Sequence, residues 1–397
     1  MDQNITLLDQ QEQESEKPPS IGPRPARPWR VAVIANVKGE HKPHSHDAPP
    51  DAGAEFDRME TIQAIRSAIE SDGHVTQFLP ADSTLPERIK EFVPDICFNI
   101  AEGLGGDARE AQVPALLEML HVPYTASRVL ANAVALDKTM TKRIWRDLGL
   151  PTASFQEFTT GDEPLSPHLC FPLFVKPARE GTGMGMSSES IVTCEEQLRS
   201  RVRWVIDTYR QPALVEDYLP GREFTVGILG RADAAKYTRR PDLYGADGFH
   251  RFPVLEVETH NSVTPGVYGN AAKNLNFGEE GIPAFICPAD LEPAMMRKLH
   301  DLAIQGHLAI GAVDVSRLDF RMDANGEPRL LEINSLPGLS PGFSDLCVIA
   351  QAEGITYQEL ILEILYLGAS RYGLLQPVGC VPLAVDVREA VQVPFSL

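Results

Sequence analysis

The chain has 397 residues, 43% hydrophobic and 23% charged, an ordinary globular composition in a length that exceeds a single core. A formal net charge of −19 excludes nucleic acid and anionic membrane surfaces as partners, because both demand a basic face. No apolar run has the length that spans a bilayer, and the six scattered cysteines lack a Cys-x-x-Cys pair, so the expectation is a cytoplasmic protein with reduced thiols.

Residues 1–28 are polar and Pro-rich without an apolar segment, which predicts a disordered arm rather than a signal peptide. Val31-Ala32-Val33-Ile34 is a continuous apolar run and predicts a strand over 29–35. His41, His44 and His46 follow; with no second ligand group nearby, a polar loop is the expected reading over a transition-metal site. Phe56, Met59, Ile62, Ile65 and Ile69 recur at helical spacing and stop near Asp72-Gly73. Strands at 75–79 and 95–100 alternate with helical segments, so residues 29–130 are expected to form a doubly wound α/β domain with a parallel sheet.

Residues 131–230 read as a smaller α+β unit. It opens with a helix at 136–148 stopped by Gly149 and Pro151, and carries a second helix at 195–209. Its expected strands lie at 154–158, 173–176, 190–192, 213–216 and 223–229. Residues 231–373 form the last expected domain, with a long polar segment at 231–284 read as a lid. Helices at 288–309 and 357–367 flank a hairpin, and 374–397 is a tail.

The chemistry concentrates in two runs. Phe174-Val175-Lys176-Pro177 is an apolar strand delivering a lysine, after which Gly181, Gly183 and Gly185 open a flexible turn. Such glycines let backbone N–H groups approach anionic oxygens. No Gly-Lys-Ser/Thr follows them, so this is not a Walker A loop. Downstream, Arg317-Leu318-Asp319-Phe320 and Leu331-Glu332-Ile333-Asn334 flank Asp323-Ala324-Asn325-Gly326, a hairpin signal. Glu332 and Asn334 are two apart and share a face, to which the hairpin brings Asp319. Two carboxylates and an amide oxygen suit Mg²⁺. A solvated strand edge is the alternative that spacing alone leaves open. Lys138, Lys176, Lys273 and Arg317 supply the cations that a nucleotide needs inside an acidic body.

The order Leu136-Asp137-Lys138, Val175-Lys176-Pro177, Val215-Glu216-Asp217-Tyr218-Leu219, Gly221-Arg222-Glu223-Phe224, Ala272-Lys273-Asn274, Arg317-Leu318-Asp319 and Leu331-Glu332-Ile333-Asn334 resembles the ATP-grasp superfamily. Pro123-Tyr124-Thr125-Ala126-Ser127 and Ser335-Leu336-Pro337-Gly338 resemble its D-alanine–D-alanine ligase branch. The resemblance implies an ATP-grasp fold behind a pre-ATP-grasp domain, and an ATP-dependent carboxylate–amine ligase working through an acyl phosphate. It implies a pair of Mg²⁺ ions (or Mn²⁺) on Asp319, Glu332 and Asn334, and phosphate contacts from Lys138, Lys176, Gly181 and Gly183. Glu216 and Leu219 would meet adenine, Glu223 the ribose, and Lys273 the terminal phosphate. Arg317 would stabilise the oxyanion, with Lys176 and Ser344 completing the catalytic group. Amino-acid substrates and a homodimer through the first domain are further implications.

Three departures fall in the expected amino-acid pocket. The family's Gly-Gly-x-Ser-x-Glu segment is absent after the first strand, where Asn36-Val37-Lys38-Gly39-Glu40 stands, and either Glu40 or Glu55 is a candidate substitute. A family histidine is replaced by Glu102, and Ser-Leu-Val-Pro by Pro341-Gly342-Phe343-Ser344. This pattern favours the same chemistry on a different substrate pair. A D-alanine–D-alanine ligase of peptidoglycan synthesis and a non-catalytic nucleotide binder are the alternatives.

Overall fold

The computed structural model describes residues 25–39, 49–259, 262–264, 266–273 and 281–375. The region of His41, His44 and His46, most of the expected arm and all but the start of the tail lie outside these residues.

The first unit contains β1 (Arg30–Ala35), α1 (Met59–Glu70), β2 (Val75–Pro80), α2 (Leu85–Phe92), β3 (Ile96–Asn99) and α3 (Gln112–Met119). Its strands pair in parallel in the order β2-β1-β3. Alternate residues of β1 serve opposite faces, as a two-residue period requires. Val31 and Val33 pack with Ile62, Ile65 and Ile69 of α1, while Ala32 and Ile34 pack with Leu85, Ile89 and Leu117.

Next come α4 (Val129–Leu136) and α5 (Lys138–Asp147). The helix expected over 136–148 forms as α5; α4 before it was not expected, and between them Asp137 takes an extended conformation and accepts the Met140 N–H at 2.9 Å. That cap places Lys138 at the first turn of α5. β4 (Phe155–Phe158), β5 (Leu173–Pro177), β6 (Ile191–Val192) and β7 (Ala213–Asp217) form an antiparallel sheet ordered β4-β7-β5-β6. α6 (Glu195–Tyr209) covers one face through Leu198, Val202 and Val205.

The largest sheet contains β8 (Glu223–Gly230), β9 (Phe249–Arg251), β10 (Leu255–Glu258), β11 (Ala284–Ile286), β12 (Asp314–Met322) and β13 (Pro328–Asn334). Its order is β11-β10-β8-β12-β13, with β9 on β8. Expectation placed the strand at 223–229 in the smaller unit; instead β8 pairs with β12 from Gly230↔Asp314 to Glu223↔Arg321. The reason is burial: Phe224, Val226 and Ile228 need an apolar cover, which Leu299, Leu302 and Ala303 of α8 (Pro293–Ala309) provide. The expected lid at 231–284 is corrected too. Short strands β9 and β10 lie within it, and Phe252, Val254, Leu255 and Val257 are buried. Polar turns around those short apolar runs hid their period. Among its described residues, the later part reaches the cleft described below, through Val267, Tyr268, α7 (Asn270–Lys273) and Ile282.

α9 (Asp345–Ala352) and α10 (Tyr357–Arg371) close the chain's described part. α10 is apolar nearly all round: Leu360, Ile361, Ile364 and Leu365 are buried in one cluster with Val31, Val33 and Ile65. It thereby fastens the parallel sheet to the large sheet. No helix among the described residues is long and apolar enough to cross a membrane.

Candidate active site

The acidic wall follows from strand register. On β12 and β13, Asp319 lies opposite Glu332 and Arg317 opposite Asn334. Leu318 and Phe320 point the other way, into the core beneath α8. Pairing then shifts between Asp319 and Phe320, whose partner is Leu330, so Leu331 is the extra residue of a bulge. Leu331 lines the cleft beside Glu332. The hairpin therefore gathers Asp319, Glu332 and Asn334, as their spacing predicts, and adds a bulge that no motif announced. Asn334 Nδ2 lies 3.4 Å from Asp319 Oδ2, and Thr225 donates to Asp319 Oδ1 at 2.6 Å.

Arg317 forks onto Asp319, with Nε to Oδ1 at 3.0 Å and Nη2 to Oδ2 at 2.9 Å. Its Nη1 is 3.2 Å from Asp345 Oδ2. Burial works against this guanidinium, but Asp319 and Asp345 outweigh it and hold the proton more firmly than usual. An oxygen-only set of Asp319, Glu332 and Asn334 is hard-ligand chemistry that fits Mg²⁺.

Opposite stands the cationic wall. Lys138 Nζ is 3.5 Å from Glu332 Oε2 and donates to the Glu180 carbonyl. Lys176 on β5 is buried with Nζ 2.7 Å from Glu216 Oε1. Glu216, on β7, lies at the cleft as expected but is committed to lysines rather than open to a base. Lys142 Nζ approaches its second oxygen at 2.9 Å, without the alignment of a hydrogen bond. Burial would raise the Glu216 carboxyl, yet Lys142 and Lys176 pull it down to about 2. Burial would likewise lower Lys176, but Glu216 and Glu332 more than offset it. Lys142 has no exposed surface; there burial wins and the ammonium is held less firmly. Sequence reasoning missed Lys142, although its place one helical turn after Lys138 was a usable signal.

Leu219, Glu223 and Tyr218 line a narrow cavity of about 40 Å³ with Lys176 and Glu216. Glu223 Oε2 is 3.3 Å from Arg321, whose guanidinium also lies 5.4 Å from the centre of the Tyr218 ring. The side chain of Lys273 is outside the described residues.

The glycine turn closes over this cleft. Asn270 N–H donates to the Gly183 carbonyl at 2.9 Å, and Asn270 Nδ2 to the Thr182 carbonyl at 3.2 Å. Gly183 has φ +66°, and a Cβ there would sit 2.7 Å from Asn270 N. The other side is held by segment 49–58. Glu55 accepts the Gly181 N–H and pairs with Arg109 at 2.7 Å, while Asp51 accepts the Gly185 N–H at 2.9 Å. Of the two candidate glutamates, Glu55 is thus beside the loop, and Glu40 is outside the described residues.

Beyond Glu332 and Arg317 opens a cavity of about 460 Å³. Its lining includes Asp57, Glu102 and Glu110 from the first unit and Ser340 and Ser344 from the turn before α9. Ser344 Oγ accepts the Ser340 N–H at 3.0 Å.

A small and a large antiparallel sheet that face lysines and carboxylates across a cleft, beneath a glycine turn, define the ATP-grasp class. Comparison supports this. The family model for the D-ala D-ala ligase C-terminus matches residues 144–366. The D-alanine–D-alanine ligase of Halorhodospira halophila is 33% identical over 346 residues, covering 86% of this chain and 97% of that one. That of Nitrosococcus oceani is 34% identical, covering 68% and 75%. An uncharacterized protein, y4sG, of Sinorhizobium fredii is 32% identical, covering 86% and 98%. The crystal structure of the Bacillus anthracis D-alanine–D-alanine ligase complexed with ATP shares the fold, with TM-score 0.63 and 20% identity over 87% of this chain and 99% of that one. The chain belongs to the D-alanine–D-alanine ligase family.

Proposed function

We propose that the protein is an ATP-dependent ligase joining the carboxylate of an amino acid or similar small acid to an amine, through an acyl phosphate. The observation that carries this is that Arg317, forked onto Asp319, lines the 460 Å³ cavity together with Glu332, while Asp319 and Glu332 line the adjoining cavity with Lys138 and Lys176, so that a phosphate donor and an acid can meet beside one fixed cation. Lys138 and Lys176 bind triphosphate oxygens, and Lys142 stays on Glu216 when Lys176 turns towards them. Leu219 and Glu223 hold the nucleoside end. Asp319, Glu332 and Asn334 would hold Mg²⁺, which supplies charge neutralisation on the phosphate oxygens.

In the first step a substrate carboxylate oxygen attacks the terminal phosphorus, the bridging P–O bond breaks, and ADP leaves. In the second an amine attacks the acyl carbon, the bond to the phosphate oxygen breaks, and phosphate leaves as the amine loses a proton. Arg317 stabilises the charge that develops on the acyl oxygen, and Ser344 orients the acid. The Gly181–Gly185 turn keeps water from the acyl phosphate.

ADP formation measured over a panel of D- and L-amino acids, singly and in pairs, with mass analysis of the product, tests this reading. A new amide supports it, and ATP binding with no turnover across the panel overturns it. A second reading, ligation of D-alanine to D-alanine, is favoured by the names of the relatives; strong stimulation by D-alanine alone would select it. Gly183→Ala is expected to loosen the turn and raise KM for ATP roughly tenfold or more, because its Cβ has no room and its backbone is left-handed. Steady-state kinetics in ATP check this, and an unchanged KM contradicts closure of the turn over the nucleotide.

A further inference from the structure

The cavity beside Arg317 has an acidic wall that the reaction itself does not use. Asp57 comes from the segment returning to β1, Glu102 from the loop after β3, and Glu110 from the turn before α3. Two stretches of chain, the one leading into α1 and the connection from β3 to α3, thus bring three carboxylates to one cavity, which no local helical or strand pattern dictates. None of the three side chains makes a hydrogen bond or close ion pair among the described residues. Glu55 differs, being taken up by Arg109 and the Gly181 N–H. The crowding is felt: burial, then Glu110, Glu55 and Asp57, hold Glu102 well above the usual carboxylate range. Burial pushes Asp57 up to about 7, and burial with Glu55 does the same to Glu110.

No three acidic, histidine or cysteine side chains among the described residues converge closely enough to hold a metal ion. Carboxylates near enough to feel one another, yet not grouped to hold a metal ion, suit an organic cation with several N–H donors. Lys38 and Arg58 line the same cavity and are placed to receive a carboxylate. A neutral amino acid brings one ammonium to three carboxyls, of which Glu102 and Glu110 otherwise feel Arg109 without bonding to it, whereas a second cation on the ligand would favour their ionised form.

Resting on the ligase reading above, we propose that the amino acid bound in this cavity is a basic one, with a second amine or a guanidinium directed at Asp57, Glu102 and Glu110. The carboxylate of that substrate lies towards Lys38, Arg58 and Arg317, and its additional cation lies against the acidic wall.

The test compares lysine, ornithine and arginine, in both configurations, with norleucine and alanine as neutral counterparts, reading ATP-dependent ADP formation by the unmodified protein. A basic amino acid is expected to exceed norleucine in kcat/KM by about 30-fold or more. Glu102→Gln and Glu110→Gln are each expected to cut that ratio by roughly tenfold, with the norleucine rate moving much less. Equal use of norleucine and lysine, or a ratio unmoved in both variants, overturns the inference while leaving the ligase reading intact. No turnover with any member of the panel overturns the ligase reading and this inference together. The comparison in the unmodified protein stands even if a variant fails to fold.

Discussion

Replacing Glu332 by alanine is expected to abolish ATP-dependent phosphate release, by roughly 10³-fold or more, while the fold survives. Glu332 faces Asp319 across β12 and β13 and lies 3.5 Å from Lys138 Nζ. Losing it removes an anionic oxygen from the three donors proposed to hold Mg²⁺, and the remaining Asp319 already carries the Arg317 fork. The structural cost is small because the side chain points into the cleft, where Lys138 keeps its bond to the Glu180 carbonyl. Phosphate release and the thermal midpoint, measured together, check this. Undiminished turnover would remove the case for a metal site on this hairpin, and collapse of the midpoint would recast Glu332 as a structural residue.

Glu216→Ala is expected to act in the opposite way, through stability. Lys142 and Lys176 are both buried and both face this carboxylate. Its removal leaves two cations in a low-dielectric interior, a change that costs roughly 3–5 kcal/mol and lowers the melting temperature by about 10 °C. Combining Glu216→Gln with Lys142→Met should recover much of the loss, since one uncompensated ammonium is then replaced by an apolar chain of similar shape. The sign of the pH dependence also follows. The folded carboxyl sits at about 2, below its unfolded value of about 4.3. Its contribution is therefore full above the unfolded value and disappears as pH falls from there through about 2. Thermal melts across that window should show the slope in the parent protein and a shallower one in Glu216→Ala. A variant as stable as the parent would mean that neither lysine is charged in the folded state.

Much of the architecture was legible because it rests on local period and punctuation. Val31 to Ile34, the Ile62–Ile65–Ile69 stripe and the Asp323–Gly326 turn each describe their own element, and the structure forms β1, α1 and the β12–β13 hairpin there. The readings that failed depended on partners. β8 has the same apolar pattern whichever sheet receives it, and only the apolar face of α8 with the edge of β12 assigns it to the large one. The polar stretch over 231–284 concealed β9 and β10 because a strand of three or four residues is too short to show a period.

The site divides along the same line. Strand spacing by itself predicted that Glu332 and Asn334 share a face to which the hairpin brings Asp319, whereas the grouping of Lys138 and Lys176 with them rested on the ordered resemblance to the ATP-grasp superfamily. Chain topology decided what those residues touch. Lys142 and Lys176 share Glu216, the 49–58 segment holds the glycine turn through Glu55 and Asp51, and Asp57, Glu102 and Glu110 meet in one cavity. Most of these contacts join segments far apart in the chain, and a carboxylate's proton affinity and partners depend on distance in space, which neither composition nor periodicity records.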